Sequence, residues 1–286
     1  MRKQKSSLKI SNSKKIRIFR IVRAAGTIIC CLGILYGAYN LIKWKIEKDI
    51  ATDQISTTQD TEIKEVEDTE NTEIIGEETA SNDSPYWSFI KMSMLDVDFN
   101  ELLNINHETV GWIKVEGTNI NYPFVQTSDN DFYLKHTFNR SSNSAGWVYM
   151  DYRNDKTISN NRNTIIYAHG RLDGSMFGTL KNALNTSWQN NSNNHVVKIS
   201  TPKENSLWQV FSVYRIPTTN DYIKTGFEAN NEFALFANKL KSRSVYDFNT
   251  TISPTDKILT LSTCIGNNSE ERMVLHAKLI KVTPKV

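Results

Sequence analysis

Thr260-Leu-Ser-Thr-Cys-Ile-Gly-Asn-Asn-Ser-Glu-Glu-Arg272 reads as the end of one β-strand, a turn and the start of another. An apolar run (Ile258, Leu259, Leu261) ends in Cys264, the chain turns through Gly-Asn-Asn-Ser, and a second apolar run opens at Met273. Small and amide residues between such runs are strand punctuation. Cys264 is the sole cysteine outside the N-terminal hydrophobic segment, so in an exported domain it would have no partner for an intramolecular disulfide. A reactive thiol, an intermolecular bridge and a small buried core residue are the readings open to it. Arg272 is a permanent cation eight residues on. A tight turn would bring it beside Cys264, where a cation favours the nucleophilic thiolate.

The same pattern of short apolar runs extends upstream. Gly111–Val115, Ile120–Val125, Gly146–Met150, Thr164–His169, His195–Ser200, Leu207–Ile216, Lys257–Ser262 and Arg272–Val282 are each β-like, with Gly, Asn, Asp and Pro clustered between them. Many short strands with few helices predict a closed barrel or a sandwich. Helices are expected over Tyr86–Met94, over Phe99–Leu103 with Asp98 as N-cap, and over Met176–Leu184 behind the capping candidates Asp173 and Ser175. Glu228–Lys241 places Phe233, Phe236, Ala237 and Leu240 on one helical face. His169 ends its strand ahead of a glycine-bearing loop, a place from which an active-site base can face solvent.

The net charge of +3 conceals a strong asymmetry. Residues 1–23 carry nine Lys/Arg and no acid, whereas residues 50–84 carry eleven acids against Lys64. Between them lies Ala24–Ile42, uncharged and with Asn40 its one strongly polar residue. At about 1.5 Å per residue this stretch spans a bilayer's hydrocarbon core. It exceeds the apolar region of an ordinary signal peptide, and Tyr36-Gly37-Ala38 is a poor cleavage site. The reading is a lipid-bilayer anchor through residues 24–42 with Cys30 and Cys31 inside it, residues 1–23 a cytoplasmic tail, and the remainder outside the cell. The basic end is thus explained by membrane topology, and no nucleic-acid partner is expected. Residues 43–84 read as an acidic extracellular linker kept extended by like charge, and residues 85–286 as the globular domain.

TLSTC ahead of Arg272, together with Tyr167-Ala-His-x-x-x-Asp-Gly-Ser-Met-Phe177, resembles the sortases, and in particular their class B branch, over Pro85–Val286. The resemblance implies a mainly β fold: a closed eight-stranded barrel with N-terminal helices and a further helix between strands six and seven, where Glu228–Lys241 falls. It also implies a cysteine transpeptidase acting on an Asn-Pro-x-Thr-like sorting motif near the C-terminus of surface proteins. Cys264 would form a thioester with the motif's threonine. His169 would move protons as general acid and base, and Arg272 would hold the carbonyl or its oxyanion. The acyl group would pass to a peptidoglycan amine. Ser262, on the same strand face as Cys264, and the segment Asn121–Val125, with Asn121 and Val125 at its ends, are candidate substrate-binding residues. Two departures from the family pattern are Ile265, where many relatives have an acid, and Ala168-His-Gly170, where glycine before and asparagine after the histidine are common.

Other residues compete for these roles. His276, four residues after Arg272, is the rival base, while His107, His136 and His195 sit in polar, surface-like settings. Asp173 could orient His169 or cap the following helix. No histidine and cysteine pair has metal-ligand spacing, so neither metal nor cofactor is expected. Two rival functions use the same residues differently: a cysteine peptidase with water as acceptor, and a surface-binding module with an inert Cys264.

Overall fold

The computed structural model describes residues 12–76, 80–264 and 270–285, with the backbone alone for residues 12–15, 18 and 264. Ile265 and the Gly-Asn-Asn-Ser turn lie outside the described residues. The chain divides into two units, Met1–Ile50 and Ala51–Val286. Helix α1 (Asn12–Gln59) crosses that boundary. In the first unit its apolar side chains, Ile28, Ile29, Leu32 and Leu35 among them, are exposed, and by length and composition it could span a membrane. Its last turns belong to the second unit, where Ala51 and Thr58 are buried and Ile55 packs on the main core.

Strands β1 (Ile63–Val66) and β2 (Glu73–Ile74), helix α2 (Tyr86–Phe89), strand β3 (Met94–Val97) and helix α3 (Asn100–Ile105) come next. The strands β4 (Thr109–Val115), β5 (Asn121–Val125), β6 (Tyr149–Met150) and β7 (Asn163–Tyr167) follow, then helix α4 (Thr186–Gln189). After β8 (Val196–Ser200) and β9 (Glu204–Pro217) come α5 (Asn230–Ser242), β10 (Ile258–Cys264) and β11 (Glu271–Pro284). Pairing runs β10-β7-β6-β5-β4-β8-β9-β11 and returns from β11 to β10, which closes an eight-stranded barrel; β2 pairs with β11 at Lys281 and Val282, past the stretch that pairs with β10. The eight expected β-runs are these eight strands, and α5 lies between the sixth and seventh of them.

Alternation along the strands builds two faces. In β11, Met273, Leu275, Ala277 and Leu279 enter the barrel core, while Val274 and Ile280 face outward. The outward residues are covered too. On one side α5 lays Phe233, Ala237 and Leu240 over Phe211, Tyr214, Ile258 and Val274. On the other, Tyr86, Phe89 and Met94 cover Val196, Leu207 and Ile280. Each large side chain so buried contributes about 1.5–3 kcal/mol, and this double coverage explains why most of β9 and β11 is buried.

Four expectations are corrected. The acidic stretch after Ile50 is not a free spacer: α1 runs to Gln59, β1 pairs with β3, and β2 pairs with β11. Its acids neutralise lysines buried on the barrel wall. Lys198 Nζ lies 2.9 Å from Glu65, and Lys281 Nζ lies 2.6 Å from Asp68 while also donating to the Ile90 and Met92 carbonyls. Second, helix α2 ends at Phe89, and Met94 instead opens β3, whose alternating side chains pack inward. Third, helical turns begin at Leu180 rather than Met176, because Gly174 (φ +81°) and Met176 (φ +52°) both adopt left-handed backbone. Asp98 is not the N-cap of α3 either: that position is Phe99, which has no side-chain cap bond, and Asp98 Oδ1 accepts from the Asn100 N–H at 3.0 Å from one residue ahead of it.

Candidate active site

Strand β10 runs parallel to β7 and antiparallel to β11. The last β7–β10 rung joins Tyr167 to Ser262, and the Ala168 N–H reaches the Ser262 carbonyl at 3.4 Å. His169 and Cys264 each follow that rung by two residues, so both leave the same end of a parallel pair. Across the hairpin Cys264 stands directly opposite Arg272 in the β10–β11 register. Three strand ends thus gather a thiol-bearing residue, an imidazole and a guanidinium at one rim.

His169 is half-buried, and its Nε2 donates to the Leu134 carbonyl at 2.8 Å. The loop beyond it folds back at once: the Phe177 N–H donates to the His169 carbonyl at 3.0 Å, and Gly170 bridges Met176. Asp173 is occupied within this loop. Its carboxylate accepts from Arg171 Nη2 at 2.8 Å and from the Ser175 hydroxyl at 2.6 Å. Partial burial pushes its pKa upward, but these hydrogen bonds outweigh burial and hold it at about 2. Among the described residues no hydrogen bond joins Asp173 to His169, and neither Asp173 nor Ser175 caps the turn at Leu180. Arg272 is half-buried, with Nη1 donating to the Glu271 carbonyl at 3.3 Å.

Ser262 is buried, its hydroxyl 2.9 Å from that of Tyr222. Tyr222 lies in the connection from β9 to α5, which is held along β7 by Arg153 donating to the Ile223 carbonyl and by Asn163, at the start of β7, donating to the Lys224 carbonyl. Arg153 in turn grips Asp151, which also accepts from Tyr167 at 2.9 Å. Burial drives the Asp151 carboxyl up, yet the bonds from Arg153 and Tyr167 leave it below the usual carboxylate range. Sequence reasoning missed Tyr222 and the Leu134 carbonyl. An aromatic directly after the polar run Thr218–Asp221 was the one signal for the first, and a backbone carbonyl leaves none.

The other expected residues differ in burial and partners. Val125 is fully buried in the barrel core, so it has no surface with which to line a groove. Asn121 opens β5, its side-chain oxygen accepting from the Trp112 indole at 2.7 Å. His276 is fully buried, and burial first, then the nearby Arg243 charge, depress its pKa to about 3, which removes it as a rival base. His195 is not a surface residue: it is buried against Phe248, Nε2 lies 2.9 Å from the Gln189 carbonyl, and burial lowers its pKa.

A sortase domain model matches residues 113–280. Sortase B of Staphylococcus aureus is 37% identical over 188 residues, covering 65% of this chain and 75% of that one. Sortase B of Listeria monocytogenes is 35% identical over 194 residues, covering 64% and 74% respectively. The solved structure of sortase B from B. anthracis superposes with a TM-score of 0.63 at 32% identity, over 84% of this chain and 99% of that one. A substrate complex of S. aureus sortase B gives 0.59 at 36% identity, over 64% and 84%. With a matching domain model, relatives at this identity and the same closed barrel, the chain belongs to the sortase family of cysteine transpeptidases that anchor surface proteins, in its class B branch.

Proposed function

We propose that Cys264, His169 and Arg272 carry out the transfer, on a sorting motif of the Asn-Pro-x-Thr kind. The observation that carries this reading is the backbone register. Cys264 faces Arg272 across β10–β11, and His169 stands two residues past the rung shared by β7 and β10. The Cys264 sulfur attacks the threonine carbonyl carbon. The tetrahedral oxyanion is held by the Arg272 guanidinium, the C–N bond breaks, and His169 gives a proton to the departing amine. A peptidoglycan amine then attacks the thioester, His169 takes its proton, and the thiolate leaves. Ser262, pinned by Tyr222, sets the floor of the rim on the Cys264 strand. The anchor is residues 24–42, with the basic tail in the cytoplasm and the barrel outside.

The test uses the full chain in detergent micelles, with peptides of the Asn-Pro-x-Thr and Leu-Pro-x-Thr-Gly types. Each is incubated with and without triglycine or a diaminopimelate-bearing peptide, alongside Cys264→Ala, and the products are identified by mass. A Cys264-dependent product joined to the amine, made from the first motif, is expected. Hydrolysis that no amine redirects would favour water as the acceptor, and turnover by Cys264→Ala would remove the thiol from the reaction.

A further inference from the structure

His169 is gripped along one edge of its ring. Its Nε2–H donates to the Leu134 carbonyl, and a carbonyl can only accept, so Nε2 carries the hydrogen. The adjoining ring carbon, Cδ2, lies against Gly146, where an added Cβ would come within 2.9 Å of it and within 2.6 Å of the Tyr133 carbonyl. Gly146 has φ +62°, so glycine serves there both for the turn and for the room it leaves the imidazole. Leu134 and Gly146 belong to one segment, the β5–β6 connection, and that segment is braced from behind. The Tyr133 carbonyl accepts from the Trp147 N–H at 2.9 Å, and the Tyr133 hydroxyl accepts from Asn106 at 2.7 Å and donates to Glu108 at 2.6 Å. The Trp147 indole donates to the Pro123 carbonyl at 2.9 Å. In a five-membered ring, a held Nε2/Cδ2 edge leaves Nδ1 on the opposite side. Among the described residues Nδ1 has no hydrogen-bond partner.

We propose that the β5–β6 connection is a cradle fixing His169 as the Nε2–H tautomer, so that Nδ1 alone exchanges protons during acyl transfer. This rests on the reading of His169 as acid and base given above. In the first half-reaction Nδ1–H passes its proton to the departing amine while Nε2–H stays on Leu134. In the second, the Nδ1 lone pair takes a proton from the incoming amine, and the ring returns to its starting state. Leu134, through its carbonyl, and Gly146, through its missing side chain, are positioning residues: they touch the base and not the substrate.

Three measurements on the full chain in micelles test this. Nitrogen-15 spectra of histidine-labelled protein are expected to show the neutral His169 ring with hydrogen on Nε2; hydrogen on Nδ1, or a mixture, overturns the proposal. Replacing His169→Nδ1-methylhistidine is expected to lower turnover by at least about 10³-fold, to the level of His169→Ala. If the methylated enzyme works while His169→Ala is dead, the cradle is wrong and the acid–base role stands. If His169→Ala itself turns over, the acid–base role is the part that fails. Gly146→Ala, checked by its melting temperature, is expected to lower kcat by about 10²-fold with KM for the peptide little changed. An unchanged kcat in the folded variant counts against the cradle, and the first two measurements decide should this variant not fold.

Discussion

His276 has both ring nitrogens engaged, by the Thr260 hydroxyl at 2.9 Å and the Tyr214 hydroxyl at 2.8 Å, and no exposed surface. With a folded pKa near 3 against an ordinary 6.5, the unfolded chain binds the proton first as pH falls. Its contribution to stability is therefore complete above pH 6.5 and is lost progressively down to about pH 3, at about 1.4 kcal/mol per pH unit. Denaturant titrations at pH 7 and pH 4.5 should show a smaller acid loss in His276→Gln than in the parent; equal losses would contradict the buried-neutral assignment. At Arg272 shape matters as well as charge. Lysine keeps the cation and loses the planar fork, so Arg272→Lys should lower kcat/KM by about 10²-fold in the peptide assay. At this scale the candidate motif was legible because cysteine, histidine and arginine advertise their chemistry. Tyr222 and Leu134 were not, because they meet Ser262 and His169 across 40 and 35 residues of chain respectively.

The elements followed the same logic. Alternating runs punctuated by Gly and Asn gave all eight barrel strands, and the spacing of Phe233, Ala237 and Leu240 gave α5, because each buries one regular face. What failed was the acidic segment, where Glu65 and Asp68 look like solvated charge. The lysines that need them, Lys198 and Lys281, sit on β8 and β11, more than a hundred residues away in the chain. Composition alone does not reveal a countercharge at that distance. Asp68→Asn removes the carboxylate from a fully buried ammonium and should cost about 1.5–3 kcal/mol in denaturant unfolding, the range for a hydrogen bond to a charged group. No change would mean that the Ile90 and Met92 carbonyls suffice for Lys281.

For the whole molecule, the folded unit begins at Ala51 and not at Pro85. A chain starting at Pro85 lacks Ile55, β1 and β2, together with both acidic partners, and is expected to melt at least about 5 °C below one starting at Ala51. Coincident melting curves would return residues 51–84 to the role of a passive spacer. The barrel's closure has a temporal side. β11, which follows every other strand in the chain, pairs with β9, β10 and β2 at once. A polypeptide made in order therefore lacks both the closing strand and Arg272 until β11 is added. Barrel closure and assembly of the candidate site are thus a single event: a partly made chain has no finished rim.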